Sequence, residues 1–356
     1  MRSLNIQGLR AVAALGIVVH HLNFYLVKYV AAGSYDELPE VLAAGVDIFF
    51  VLSGYLMAQT ALRRGEPGSF MRARIARIVP LYWSFTLAVA VSVAAGFHTF
   101  GVDDMSVQKL VEALFFLPPS GPSKFPPLYV GWTLNYEMLF YALFALCLWV
   151  PSEKGRLTAF FCMLGVLQVA GLVSESRYLQ YWGAPLAIEF ALGVGLFLYA
   201  RVYVFSARRA WTCIVVACGL IGLTEWVDVV MEEYALRFLL WGIPAAMIVY
   251  SAICLEKHGK YFDSPKLTFL GDASYSIYLF HPFALQVIGK LSLLTGLHGT
   301  VLLDAASVVC AATAALGGGA LVHTQLERPL NEWLRRRRDP VRSAHSGDHA
   351  RVGGSR

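Results

Sequence analysis

From Phe238 to Leu255 the chain runs FLLWGIPAAMIVYSAICL without one charged side chain. A membrane-crossing helix needs about 20 mostly apolar residues, because every backbone polar group must be satisfied inside the helix. Ten stretches meet that need, roughly 8–27, 41–62, 80–97, 131–150, 157–174, 182–200, 210–224, 238–255, 269–289 and 300–320. Composition agrees: 15% of the residues are charged and 57% hydrophobic, against roughly 25% charged in an ordinary soluble domain. A soluble globular domain is excluded on that ground. The expected fold is an all-α polytopic membrane protein of about ten transmembrane helices.

The first apolar segment follows MRSLNIQGLR with no small-x-small cleavage pattern ahead of soluble sequence, so it reads as a retained span. The longest loop, between the third and fourth stretches, holds the amphipathic SVQKLVEALFFL and then PPSGPSKFPP, whose prolines and glycine stop a helix. A membrane domain over 1–335 is expected, followed by a charged, glycine-rich, disordered tail over 336–356. The six cysteines form no CxxC pair, so neither a metal knuckle nor a disulfide framework is indicated.

Charge tests the count. With the N-terminus in the cytoplasm and sides alternating, the inner segments sum to +15 and the outer ones to −5. Asp47, Glu137, Glu189, Asp272 and Asp304 fall within the spans, which recovers the net charge of +5. The excess of lysine and arginine stays on one face throughout, as the positive-inside rule asks. Both termini are expected in the cytoplasm.

Several polar groups then lie where hydrocarbon is costly. In RAVAALGIVVHH, Arg10 and His21 are eleven positions apart, about 16 Å of helix rise and nearly the same face. Arg10 falls near the cytoplasmic boundary and His21 in the outer half, while His20 points to another face. Asp47 in GVDIFFVLSGYLM lies inside the outer end of the second span, with Ser53 and Gly54 deeper. Glu137 in GWTLNYEMLFY is expected at the depth of Asp47 and His21. ASYSIYLFHPF adds His281 near mid-membrane, with Ser274, Tyr275 and Tyr278 on its cytoplasmic side and Pro282 freeing a carbonyl. An imidazole beside a carboxylate is the makeup of an acid–base site, with Asp47 or Glu137 orienting the His21 ring. It is equally the makeup of a proton-coupled transporter, although paired interrupted spans, the mark of many transporters, are not found. A non-enzymatic component of a polysaccharide export complex would have no reason to collect these groups. Arg72, Arg74 and Arg77 precede the third span, with Arg74 and Arg77 on one helical face. Lipid phosphates or the phosphates of a soluble cofactor suit such forks. No P-loop or GxGxxG follows a predicted strand.

The ordered set of motifs resembles the membrane-embedded acyltransferase-3 family, nearest its exopolysaccharide-acetylating branch. It comprises Arg10 with His21; GVDIFFVLSGYL with Asp47, Ser53 and Gly54; RARIARIVPLYW with Arg74, Arg77, Pro80, Tyr82 and Trp83; GWTLNYEMLFY with Trp132, Glu137 and Tyr141. FALGVGLFL with Gly193 and Gly195, LGDASYSIYLFHPF with Gly271 through His281, and HTQLERPLNEWL with Glu327 and Pro329 complete it over about residues 4–335. The resemblance implies O-acylation of a cell-envelope or exported polysaccharide, or its lipid-linked precursor, at the bacterial inner membrane. The donor would be acetyl-coenzyme A or another acyl-coenzyme A reached from the cytoplasm, with no metal. His21 and Arg10 carry over as the essential pair, with Asp47 and Glu137 as the carboxylates beside them. Arg74 and Arg77 would meet the coenzyme A phosphates, and Tyr82, Ser53, Tyr275 and His281 would complete the donor site. Expected partners are the donor, the glycan acceptor, membrane lipids and polysaccharide synthesis or export machinery, with no nucleic acid. Direct transfer and a covalent acyl-enzyme on His21, Ser53 or a tyrosine both remain open. An appended SGNH hydrolase-like domain, fused in some members, is not expected after Arg335.

Overall fold

The computed structural model of the protein describes residues 3–25, 28–29, 40–62, 65–97, 102, 105–120, 125–226, 234–296 and 298–338, and these are almost wholly helical. In chain order the helices are α1 (Leu4–Tyr25), α2 (Gly45–Ala61), α3 (Pro67–Ala94), α4 (Val107–Leu114), α5 (Trp132–Cys147), α6 (Glu153–Val173) and α7 (Arg177–Trp182). They continue as α8 (Ala187–Val202), α9 (Ala207–Leu223), α10 (Tyr234–Arg237), α11 (Ile243–Lys257), α12 (Pro265–Thr295), α13 (Val301–Val322) and α14 (Arg328–Arg338). Most of the 28–40 loop, and the tail from Asp339 onward, lie outside the described residues.

Each of the ten apolar stretches falls on a helix, and seven helical segments are long and apolar enough to cross a membrane. The protein is thus an all-α membrane protein. Of the other three, α1 is long but carries Asn5, Gln7, Arg10, His20, His21 and Asn23, while α5 and α9 have 16 and 17 residues. Starts were written locally. Ser106, Ser152, Ser206, Ser264 and Thr300 each accept a bond from the backbone N–H three residues on, capping α4, α6, α9, α12 and α13. Pro67 and Pro265 occupy first helical turns, where a missing N–H costs nothing.

Three elements depart from the sequence reading. α3 starts at Pro67 rather than near 80, so Arg72, Arg74 and Arg77 ride on a continuous helix that passes through Pro80. Their long apolar stems let the charged ends reach polar surroundings while the backbone stays helical. The 182–200 stretch is interrupted after α7, where Gly183 meets Gly171 so closely that a Cβ on either would lie under 3 Å from the other. α13 runs on through a π-turn, His323–Glu327, into α14.

Three helix pairs organise the bundle, and the most extensive is α12 against α13. α1 lies along α12, and α2 lies along α8. The contact of α2 with α8 is glycine against glycine: a Cβ at Gly54 would sit 2.0 Å from the Phe190 carbonyl oxygen, and one at Gly193 2.0 Å from that of Val51. Small residues let membrane helices approach to backbone contact. Gly54 therefore serves packing, and its close approach turns Ser53 toward the space between α2, α5 and α12.

Candidate active site

α1, α2, α3, α5 and α12 enclose a cavity of about 90 Å³. Arg10, Ser53, Arg77, Thr133, Glu137, Tyr141, Ser274, Tyr275 and Tyr278 supply its polar wall. Arg10 donates to the Ser274 hydroxyl at 2.9 Å and to Gln7 at 3.4 Å, both neutral. Arg77, Glu137 and Glu327 are the charged groups that face it. The Arg74 guanidinium lies over the rings of Phe70 and Tyr141, at 5.3 and 5.7 Å, with its buried Nε unbonded. Among the described residues none of Arg10, Arg74 and Arg77 forms an ion pair. The acid in the wall, Glu137, instead accepts from Ser53 at 3.1 Å and from the Tyr141 hydroxyl. Guanidiniums held out of water without a bonded carboxylate suit an anionic or strongly polarised ligand.

The cavity ends at Tyr278, whose hydroxyl bonds Thr133 and the Val130 carbonyl, both at 2.9 Å. Beyond it lies a pair of imidazoles. His281 Nε2 is 2.9 Å from His21 Nδ1, the ring centres are 4.9 Å apart, and Tyr129 meets His21 edge-on at 5.1 Å. His281 is fully buried and His21 partly so. His20 stands edge-on to His21 at 5.1 Å and to Phe24 at 5.6 Å, with its buried Nδ1 unbonded. His21 is absent from the cavity wall, which on that side is formed by Tyr278 and Thr133, bonded to each other.

The carboxylates do not stand where the sequence suggested. Asp47, fully buried, takes a two-pronged ion pair from Arg237, with Nη2 at 2.8 Å and Nε at 3.2 Å. Glu189 is buried against the same pair, and Arg237 sits between Trp241 and Trp132 at 4.8 and 5.9 Å. Asp47 thus has a cation of its own and makes no bond to His21. Glu137 lies one turn beyond Thr133 on α5, about 6 Å along the axis, at the level of Arg10 rather than of His21. His21 is oriented by a histidine, not by either acid.

Of the residues expected at the donor site, Ser53, Arg77 and Tyr275 line the cavity, and Tyr275 also donates to the Ile78 carbonyl at 2.7 Å. Tyr82 does not line it: its ring is buried, stacked on Phe116 at 4.8 Å. His281 belongs with His21. Arg237 was not foreseen, because it lies in a polar loop by composition and its partner is 190 positions away. Thr133 was missed as well, since a lone threonine in an apolar run carries no signal. Glu327 enters through the π-turn, accepting from Ser276 at 2.6 Å and meeting His323 Nδ1 at 2.7 Å. Among the described residues no group of three or more His, Cys, Asp or Glu is placed to hold a metal ion.

A helix bundle in a membrane that walls off unpaired arginines beside a histidine pair has the parts of an intramembrane group-transfer enzyme. Comparison with known proteins gives that class a family. The model of the acyltransferase domain, acyltransferase family 3, matches residues 3–323, and the chain belongs to this family. It is 36% identical to the exopolysaccharide production protein ExoZ of Rhizobium meliloti over 83% of this chain and 92% of that one. The acyltransferase MdmB of Streptomyces mycarofaciens is 24% identical over 96% and 94%. A putative O-acetyltransferase of Staphylococcus aureus is 24% identical over 78% of this chain but 49% of its own length. No solved structure matches the chain. The protein is a multi-pass membrane O-acyltransferase that uses an acyl-coenzyme A type of donor.

Proposed function

We propose that the protein moves an acetyl group from cytoplasmic acetyl-coenzyme A to a hydroxyl of an exported or cell-envelope polysaccharide, or of its lipid-linked precursor, at the bacterial inner membrane. The likeness to an exopolysaccharide production protein and to a putative O-acetyltransferase supports acceptor and cargo. The observation that carries the reading is the placing, on one helix, of an unpaired guanidinium in a cavity and an imidazole beyond it. Ten crossings with both termini cytoplasmic, as the charge pattern favours, put Arg10 on the donor's side and His21 nearer the acceptor's.

Arg77 and Arg74 meet the donor's phosphates, and Arg10 lines the path of the donor's pantetheine arm. His21 Nε2 takes the proton of the acceptor hydroxyl as its oxygen bonds the acyl carbon. The carbon–sulfur bond then breaks, and the proton passes from His21 to the departing sulfur, so coenzyme A leaves as the thiol. General base action of this kind contributes about 10²–10⁴-fold in rate. Mass analysis of envelope glycans from cells carrying the intact gene, no gene, or His21→Ala tests the proposal. O-acetyl mass is expected with the intact gene alone. Near-normal acetylation with an inserted His21→Ala protein overturns the assignment of the base, and glycans unchanged by loss of the gene overturn the acceptor class.

A further inference from the structure

We infer that His281 is a positioning residue of the reaction: it locks His21 in the tautomer whose lone pair sits on Nε2 and keeps that ring bonded while it carries the proton. The inference rests on the reading of His21 as the base. Hydrogens need not be seen to assign the pair. His281 Nδ1 lies 3.2 Å from the Ile277 carbonyl oxygen, which has no proton to give, so Nδ1 carries one. A neutral His281 then has only a lone pair on Nε2. The atom facing it at 2.9 Å, His21 Nδ1, must be the donor. His21 is left with its free lone pair on Nε2, directed away from His281.

The opposite order would set a lone pair of His281 against the Ile277 oxygen. Doubly protonated His281 would be a buried cation, and among the described residues no carboxylate bonds either ring. Surroundings hold the acceptor still. His281 is fully buried on α12, one turn beyond Tyr278, which is itself tied to Thr133 and Val130, and Tyr129 packs edge-on against the His21 ring.

A carboxylate commonly fixes the tautomer of a catalytic histidine. Here a neutral imidazole does so without bringing a second buried charge, which in this protein would need its own cation as Asp47 needs Arg237. When His21 Nε2 takes the hydroxyl proton, Nδ1–H stays bonded to His281 Nε2, and no proton moves to His281. The positive charge is shared along that bond until His21 returns its proton to the departing sulfur.

The test uses the full chain in lipid vesicles with acetyl-coenzyme A, comparing wild type, His281→Leu, His281→Gln and His21→Ala. His281→Leu removes the acceptor; kcat is expected to fall about 10²-fold with the donor KM nearly unchanged, as for a group that acts after binding. Glutamine can offer its amide oxygen to His21 Nδ1–H and should recover a large part of the rate. Solid-state ¹⁵N spectra of wild type should show His21 with a protonated Nδ1 and a bare Nε2. A well-folded His281→Leu at wild-type kcat, or a bare His21 Nδ1, overturns the inference. Should the leucine variant not fold, the wild-type spectrum and the glutamine rescue still decide. An inactive His21→Ala beside a fast His281→Leu defeats this inference alone, whereas an active His21→Ala defeats the reading of the base.

Discussion

The buried cluster of Asp47, Arg237 and Glu189 makes an unequal prediction for its members. Arg237 binds Asp47 by two hydrogen bonds, Asp47 is fully buried, and Arg237 is 9% exposed. Removing one partner of such a pair costs about 3–5 kcal/mol, mostly because the other charge is left without compensation. Here the two losses differ. In Asp47→Asn the guanidinium keeps Glu189 beside it as a second carboxylate to bond. In Arg237→Met two carboxylates share a closed space with no cation. Arg237→Met should therefore lose the full 3–5 kcal/mol and Asp47→Asn about half of it, since a charged hydrogen bond re-formed with Glu189 returns about 1.5–3 kcal/mol. At about 2–4 °C per kcal/mol for a large domain, thermal unfolding in detergent should drop by roughly 6–20 °C for the arginine variant.

Two further variants sharpen the test. Arg237→Met with Asp47→Asn and Glu189→Gln removes all three charges together and should recover much of the loss, as apolar or neutral replacements of whole buried ion clusters do. Transfer per folded molecule should stay within a few-fold of wild type in the triple variant, because Asp47 makes no bond to either histidine. Size-exclusion-coupled thermal melts supply the first readout and vesicle assays the second. An arginine variant melting with the wild type, or an asparagine variant falling further than the methionine one, refutes the charge argument. A folded triple variant without activity returns Asp47 to the catalytic group.

Two other substitutions probe the cavity. Arg77→Ala removes a guanidinium proposed to meet donor phosphates, so the donor KM should rise with little change in kcat, and an unchanged KM counts against that contact. Gly54→Ala sets a methyl 2.0 Å from the Phe190 carbonyl oxygen, a backbone atom that cannot swing aside. α2 and α8 must part, at a cost of about 1–3 kcal/mol for overpacking. The shift also moves Ser53 off Glu137, so both melting temperature and rate should fall; a variant normal in both shows that the two helices are not held at this contact.

How much of this was legible depends on the range of the interaction involved. Hydropathy located every apolar stretch on a helix, because the need to bury or solvate twenty side chains is a local property. Helix starts are as local, yet apolarity alone does not give them: α3 begins at Pro67, ahead of its apolar stretch. Lateral pairing was another matter. That Arg10 and His21 share a face follows from helical arithmetic, but which neighbour each would meet depends on crossing geometry. Asp47 illustrates the failure. Depth counted from the helix end put it level with His21, yet sequence could not show that Arg237, 190 positions on, would claim it. Glu137 failed differently: it lines the cavity with Arg10 and bonds Ser53 and Tyr141, contacts across helices that spacing along α5 does not reveal.

The division of labour along α1 explains why so few charges suffice. Arg10 needs a wet or polar wall, and the cavity gives it Ser274, Tyr275 and Glu137; His21 needs an acceptor for one ring nitrogen, and α12 gives it His281. Ser274, which bonds Arg10, and His281, which bonds His21, both come from α12, the helix packed along α1. A rigid pair of helices thus sets the separation between guanidinium and imidazole at about 16 Å, too far for both to touch one scissile carbonyl. The arginine can only act on the donor's body or its path, and the imidazole only on the reacting end. Tyr278 stands at the junction, bonded to α5 through Thr133 and Val130. One turn further along α12 stands His281, its ring 5.9 Å from that of Tyr278, so the rigidity that holds the cavity wall also holds the imidazole pair.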